Sequence, residues 1–109
     1  MDVDQQRRVA RNEVRFRELN EMMKEAVDGI RGADDDRSFE ILCECALEDC
    51  MEMVEVLPGQ YEAVRATPTR FIVMAQHIQP EVERVVEEHG KYWVVEKNGV
   101  GADVARQRS

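Results

Sequence analysis

Leu42-Cys43-Glu44-Cys45-Ala46-Leu47-Glu48-Asp49-Cys50 is the stretch on which the fold of this chain turns. On an extended backbone residues i and i+2 point to the same side, so Cys43 and Cys45 present both sulfurs to one point. The turn through Ala46-Leu47-Glu48-Asp49 brings Cys50 back toward them. Three cysteines are an odd number, and a closed disulfide framework would leave one over. The opening residues, Met1-Asp2-Val3-Asp4-Gln5-Gln6-Arg7-Arg8, hold no apolar run. They predict no secretory signal and hence a cytoplasmic location, where thiols stay reduced and clustered ones serve as ligands or catalysts.

Outward from the cysteines the pattern is one of short elements. Residues 38–44 read as a strand with Phe39, Ile41 and Cys43 on one face, and residues 51–57 as its hairpin partner. Pro58 opens a helix over 59–66 with Tyr61 and Val64 inward, and Thr67-Pro68-Thr69 stops it. The run Phe71-Ile72-Val73-Met74-Ala75, within a strand over 70–76, suits the centre of a sheet. Pro80 then opens a helix over 81–89 with Val82, Val85 and Val86 as its stripe and Gly90 after its end. Tyr92-Trp93-Val94-Val95 is the last strand, and residues 98–109 form a polar, frayed tail.

Before the cysteines, residues 3–30 lack Pro and carry no Gly until Gly29, which predicts one long helix. Val9, Phe16, Met23 and Ile30 recur every seven residues, with Asn12, Leu19 and Ala26 three later, and Met22 and Val27 widen this seam. The seam packs either on the protein's own sheet or on a partner, including a second copy in which Asn12 tunes the register. Arg7, Arg8, Arg11 and Arg15 lie together on the first turns, but Asp4, Glu13, Glu18 and Glu21 stand at pairing distance from them and from Arg17. That predicts a solvated, salt-bridged face rather than a phosphate-binding strip. Gly32 and the run Asp34-Asp35-Asp36 belong to a solvated linker. The order predicts an α+β fold: a long N-terminal helix followed by a small β-β-α-β-α-β unit with a mostly antiparallel sheet of about four strands. Residues 1–97 form a single domain.

The 109 residues carry a net charge of −8, and residues 32–63 hold ten acids and one base, so the acidity surrounds the cysteines. Such a field repels phosphate, which argues against nucleic acid. No window approaches the ~20 apolar residues of a membrane span.

A tetrahedral site needs a fourth donor beyond Cys43, Cys45 and Cys50. His77 is the best candidate because it ends the 70–76 strand, shares parity with Phe71, Val73 and Ala75, and precedes the Pro80 turn. His89, near the end of a helix, is the alternative. Thiolates with one imidazole suit Zn²⁺, whereas calcium and magnesium want oxygen, and iron–sulfur clusters usually take four cysteines. Two other readings stay open: buried unliganded thiols serving as small hydrophobes, and a redox-active Cys-x-Cys dithiol. With His77 unliganded the site would hold three thiolates and water, and Glu44, Glu48 or Glu52 would serve as base in a small zinc hydrolase. Signatures of deaminases, metalloproteases, phosphate loops and serine hydrolases are missing. Tyr61 and Arg65, four apart on a helix, predict cation–π packing rather than a ligand site.

Together, Arg11-Asn12-Glu13, Phe16-Arg17-Glu18-Leu19-Asn20-Glu21, Leu42-Cys43-Glu44-Cys45 with Cys50, Tyr61-Glu62-Ala63-Val64-Arg65, Pro68-Thr69-Arg70-Phe71, His77, Pro80-Glu81-Val82-Glu83-Arg84-Val85-Val86 and Val94-Val95-Glu96-Lys97 make an ordered motif set. From about Arg8 to Lys97 it resembles a family of small uncharacterised actinobacterial proteins with a Cys-x-Cys-x₄-Cys…His motif. The resemblance places Cys43, Cys45, Cys50 and His77 on the positions of that family's cysteines and histidine. It also implies Gly before the histidine, where this chain has Gln76. No reaction comes with the family. The sequence thus predicts a non-enzymatic zinc-binding protein with a structural Cys₃His site, acting through protein contacts, in a regulatory role. A zinc-thiolate redox sensor and the hydrolase are the alternatives.

Overall fold

The computed structural model describes residues 2–32, 34–45, 47 and 50–107. Helix α1 (Val3–Arg31) is opened by a reciprocal capping box, in which the Gln5 N–H donates to Asp2 Oδ1 at 2.8 Å and the Asp2 N–H to Gln5 Oε1 at 3.1 Å. It ends at Gly32, whose φ of 91° turns the chain out of the helix. Strands β1 (Phe39–Leu42) and β2 (Met53–Val56) form the expected antiparallel hairpin, pairing Phe39 with Val56 and Ile41 with Val54. Pro58 stands at the start of α2 (Pro58–Arg65), whose Tyr61 and Val64 are buried as expected.

The remaining strands are β3 (Arg70–Met74), β4 (Glu83–His89) and β5 (Tyr92–Lys97), in the antiparallel order β3-β5-β4. The fold is therefore α+β with five strands in two small sheets, not about four in one. The source of the difference is residues 81–89, expected as a helix. Val82, Val85 and Val86 match a helical stripe, but their β-branched side chains also suit a strand, and Gly90, which can end a helix, also turns a hairpin. Its φ is 75°, and the turn pairs His89 with Tyr92 and Val85 with Val95. Pairing with β5 decides between two patterns that the local sequence allows.

Strand β3 is buried on both faces, as its unbroken apolar run requires. Ile72 joins Phe39, Ile41, Val54, Val56, Tyr61, Val64, Tyr92 and Val94 in one core. Phe71 and Val73 face the other way, onto Val14, Cys43, Cys45, Val95 and Ala105. Ala105 comes from a second departure: residues expected as a frayed tail form helix α3 (Gly99–Gln107), which buries Gly101, Ala102 and Ala105. Small residues let α3 lie close, and a Cβ on Gly101 would come within 2.9 Å of Lys97 Cε.

The largest correction concerns α1. Its heptad seam covers the body of the protein only in part: Val9, Asn12, Phe16, Met23 and Val27 are half-buried, Val27 against the core, while Leu19, Met22 and Ile30 remain 41%, 65% and 86% exposed. The helix packs chiefly through Ala10, Glu13, Val14, Arg17, Asn20 and Lys24, a stripe at helical spacing that is mostly polar. Each polar member meets a partner. Arg17 donates to the carbonyls of Pro68 and Ala105 and lies over the Phe71 ring at 4.9 Å. Lys24 bonds Asp28 at 2.7 Å and Glu62 at 3.4 Å. Glu13 was expected on a solvated face with the arginines; it is fully buried against Lys97.

Lys97 is one cation between two buried carboxylates, Glu13 and Glu83, the second at 3.3 Å. Burial, and next the Glu83 carboxylate, push the Glu13 carboxyl well above its usual range, against the pull of Lys97. A carboxyl whose folded pKa is raised contributes stability below its unfolded pKa and loses it as pH rises toward the folded value. Wild-type stability, measured by urea unfolding, should therefore fall relative to that of Glu13→Gln as pH is raised from the unfolded pKa of about 4.3. Lys97→Met, which leaves both acids unpaired, should cost about 3–5 kcal/mol at neutral pH.

Candidate metal centre

The hairpin ladder continues one residue past β1, because the Cys43 N–H donates to Glu52 O at 2.9 Å. Cys43 and Cys45 then stand on one side of an extended segment and are 2% and 0% exposed, while Cys50 is half-buried. The Cys50 N–H donates to Leu47 O at 3.1 Å. Ala46, Glu48 and Asp49, assigned to the turn between the cysteines, lie outside the described residues.

The structure brings all four sequence-predicted donors together. The ligand atoms of Cys43, Cys45, Cys50 and His77 lie within 4.8 Å of one another. His77 Nδ1 is 3.6 Å from Cys43 Sγ, 3.7 Å from Cys45 Sγ and 3.5 Å from Cys50 Sγ. A tetrahedral zinc ion with Zn–S of about 2.3 Å and Zn–N of about 2.05 Å would set its sulfurs and nitrogen about 3.6 Å apart. The donors are therefore compatible with one metal ion at their centre. His89 is elsewhere: its ring stacks on Tyr92 with centroids 4.8 Å apart, and its Nε2 is 2.7 Å from Glu87.

Three close thiols share their protons unequally. The Cys45 thiol is pulled down to about 5, first by its hydrogen bond with Cys43. The same bond, followed by burial, pushes Cys43 up, and burial raises Cys50. The Met74 N–H donates to Cys43 Sγ at 3.1 Å, a contact that favours negative charge on that sulfur.

His77 reaches the cluster by a route that strand parity did not foresee. Strand β3 ends at Met74, and a tight turn follows in which the His77 N–H donates to Met74 O at 3.0 Å. Within that turn Gln76 takes φ of 75°, a left-handed conformation that suits glycine. A non-glycine residue there costs about 1–2 kcal/mol, held in place by the surrounding structure.

Between the two nearest cysteines, Glu44 does the positioning. It is fully buried; its Oε1 accepts from the Ile72 N–H at 2.8 Å, and its Oε2 accepts from Asn20 Nδ2 at 2.8 Å and from Arg65. Its own N–H donates to Ile72 O at 2.8 Å. Asn20 in turn exchanges two bonds with Leu42, donating to its carbonyl at 2.8 Å and accepting from its N–H at 2.8 Å. A side-chain amide thus stands in for a neighbouring strand on β1, and a carboxylate does the same for β3. Arg65 also stacks on Tyr61 at 4.7 Å, the cation–π pair expected from their spacing. The structural roles of Glu44 and Asn20 were missed in the sequence; the signal for Asn20 was the three- and four-residue spacing of Glu13, Arg17, Asn20 and Lys24.

The chain matches no protein-family model, no curated protein and no solved structure. None of its described helices is long and apolar enough to cross a membrane.

Two substitutions test this architecture. Gln76→Gly should relieve the left-handed strain and, after the added freedom of the unfolded chain is counted, stabilise the protein by about 0.5–1 kcal/mol in urea unfolding. Asn20→Ala strands the Leu42 N–H and carbonyl and leaves Glu44 Oε2 with Arg65 as its remaining donor, and should cost at least about 2–4 kcal/mol in the same measurement.

Proposed function

We propose that Cys43, Cys45, Cys50 and His77 hold a structural zinc ion in a non-enzymatic protein that works through contacts with other proteins, in a regulatory role. The observation that carries this reading is the convergence of three sulfurs on one imidazole nitrogen at 3.5–3.7 Å. Three thiolates and an imidazole match zinc's preference, and four protein donors close a tetrahedral site. A catalytic zinc needs an open position and a free base. Glu44, the nearest acid in sequence, has both oxygens committed to Ile72, Asn20 and Arg65, which weighs against the hydrolase. The resemblance to small actinobacterial proteins with the same cysteine and histidine spacing belongs to this proposal, as does a cytoplasmic location.

The energetic case follows from size. A chain of this length buries only about two-thirds of its unfolded surface. Zinc joined to such a ligand set contributes apparent folding free energy on the order of 10 kcal/mol. It would clamp the β1–β2 hairpin to the turn after β3, adding to the Glu44 bonds, the Met74–Cys43 contact and the apolar core that Ile72 shares with the hairpin. Contact with other proteins is supported by Leu47, Met51 and Met53, which are 45%, 70% and 39% exposed beside the cysteines.

A redox role for the same centre is the second reading, favoured by the half-buried Cys50, the most accessible of the three thiols. Peroxide would take two electrons from two thiolates, forming a disulfide and water and releasing the metal.

Elemental analysis of protein purified without added metal should find close to one zinc per chain, and Cys45→Ala and His77→Ala should lose it together with thermal stability. Absence of zinc in the wild type would overturn the proposal, and zinc retained in His77→Ala would favour the open, catalytic site. Zinc release at a low dose of peroxide would support the sensor, whereas retention at high excess would leave a purely structural ion.

A further inference from the structure

The β1–β2 hairpin has two edges, and only one is closed. Along an antiparallel pair, residues alternate between bonding across the ladder and pointing their N–H and carbonyl outward. The Cys43 N–H donates to Glu52 O, so in the register of this hairpin Ile41 bonds with Val54 and Phe39 with Val56. On the β1 side the outward groups of Leu42 are taken by Asn20. On the β2 side the outward groups are those of Met53 and Glu55, and no described residue bonds to them. A row of free donors and acceptors pairs readily with another extended chain, and proteins commonly blunt such edges. The outer strand of the other sheet, β4, is blunted: a bulge between Val85 and Glu87 breaks its ladder, and Arg84, Glu87 and Glu88 are exposed along it. Strand β2 pairs without a register shift, and Met51, Met53 and Leu57 are exposed along and beside it. Met53 and Glu55 also line a cleft of about 390 Å³, whose other wall is Met74, Ala75 and Lys91.

We infer that the open edge of β2 takes an extended segment of another protein as an added strand, with apolar side chains toward Met53 and Met74 and a lysine or arginine beside Glu55. Backbone pairing supplies the attachment, and side chains at alternate positions select the partner. Charge decides which partner fits. Glu40 and Glu55 stand directly opposite each other in a non-bonded pair, the arrangement that brings side chains closest, and both are exposed. Glu55 accepts from the Ser38 hydroxyl, and neither carboxylate meets a cation among the described residues. Like charges so placed repel, and a cation on the added strand relieves them. Lys91 is the one ammonium against these two carboxylates, so the cleft is net acidic. The same charges disfavour a second copy, because β2 laid against β2 would gather four carboxylates on one sheet face. The thioethers of Met53 and Met74 adapt to apolar side chains of differing shape.

The inference rests on the reading that the protein works through contacts with other proteins, and its test is separable from that of the metal. The probe is a blocked synthetic peptide of alternating valine and lysine, titrated into the purified, isotope-labelled chain and followed by NMR. Binding should shift the amides of Met53 and Glu55 and slow their hydrogen exchange about tenfold or more at saturation. The same peptide with glutamate for lysine should bind at least about tenfold more weakly, and Glu40→Lys/Glu55→Lys should reverse that order with metal content unchanged. A fully N-methylated valine–lysine peptide keeps the charge, loses the backbone donors, and should not bind. No binding of the valine–lysine peptide at millimolar concentration, binding that survives N-methylation, or shifts confined to residues away from β2 would each overturn the inference. So would a wild type of twice the 12.6 kDa monomer mass whose Met53 and Glu55 amides are already protected, since a second copy would then hold the edge. Peptide binding by a chain that carries no zinc would support the edge and overturn the metal reading alone.

Discussion

A single carboxylate sits where helix α1, helix α2 and strand β3 meet. Glu44 has no exposed surface, and its two oxygens take donors from α1 through Asn20, from α2 through Arg65 and from β3 through the Ile72 amide. It lies between Cys43 and Cys45, so whatever holds Glu44 also aims two sulfurs. Removing a charge from water into such a site is costly unless its lone pairs are filled with good geometry. Here they are filled by three different elements. The bond set is met only when helix, hairpin and sheet are all in place, which makes Glu44 a check on assembly as much as a contribution to it.

The same logic explains why α1 docks through its polar side. Arg17 caps carbonyls of the β3-flanking turn and of α3, Asn20 extends β1, and Lys24 lies 5.9 Å over the Phe39 ring. Apolar packing alone would hold the helix at many rotations about its axis, because dispersion and hydrophobic burial are non-directional. Hydrogen bonds to named backbone atoms admit one. Part of the apolar seam is thereby left outside: Leu19, Met22, Ala26 and Ile30 are exposed along the 29-residue helix.

Around the cysteines, strain and satisfaction are placed side by side. Gln76 is held at a φ that costs energy, one residue before the imidazole that completes the donor set. Its neighbours are well bonded: the Ala75 N–H donates to Lys91 O at 2.9 Å and the His77 N–H to Met74 O at 3.0 Å. A turn this tight can swing the chain from the end of β3 to the sulfurs within three residues, and a longer loop would leave the ring free to point elsewhere.

Read alone, the residues determined what depends on near neighbours: the length of α1 and its glycine stop, the β1–β2 hairpin, α2 behind its proline and the doubly buried β3; donor chemistry singled out Cys43, Cys45, Cys50 and His77, whose meeting across 27–34 residues is made by the turn after β3. Each follows from spacing, capping or an unbroken apolar run, which act over a few residues whatever the rest of the chain does. Tertiary structure alone decided the rest. Residues 83–89 are a strand because β5 offers an edge, residues 99–107 are a helix because α1 offers a surface for Gly101, Ala102 and Ala105, and Glu13, Asn20 and Glu44 are interior because partners up to 84 residues away neutralise or bond them. A buried polar side chain looks in sequence like an exposed one. Only its distant partner tells them apart, and that partner is in no local window.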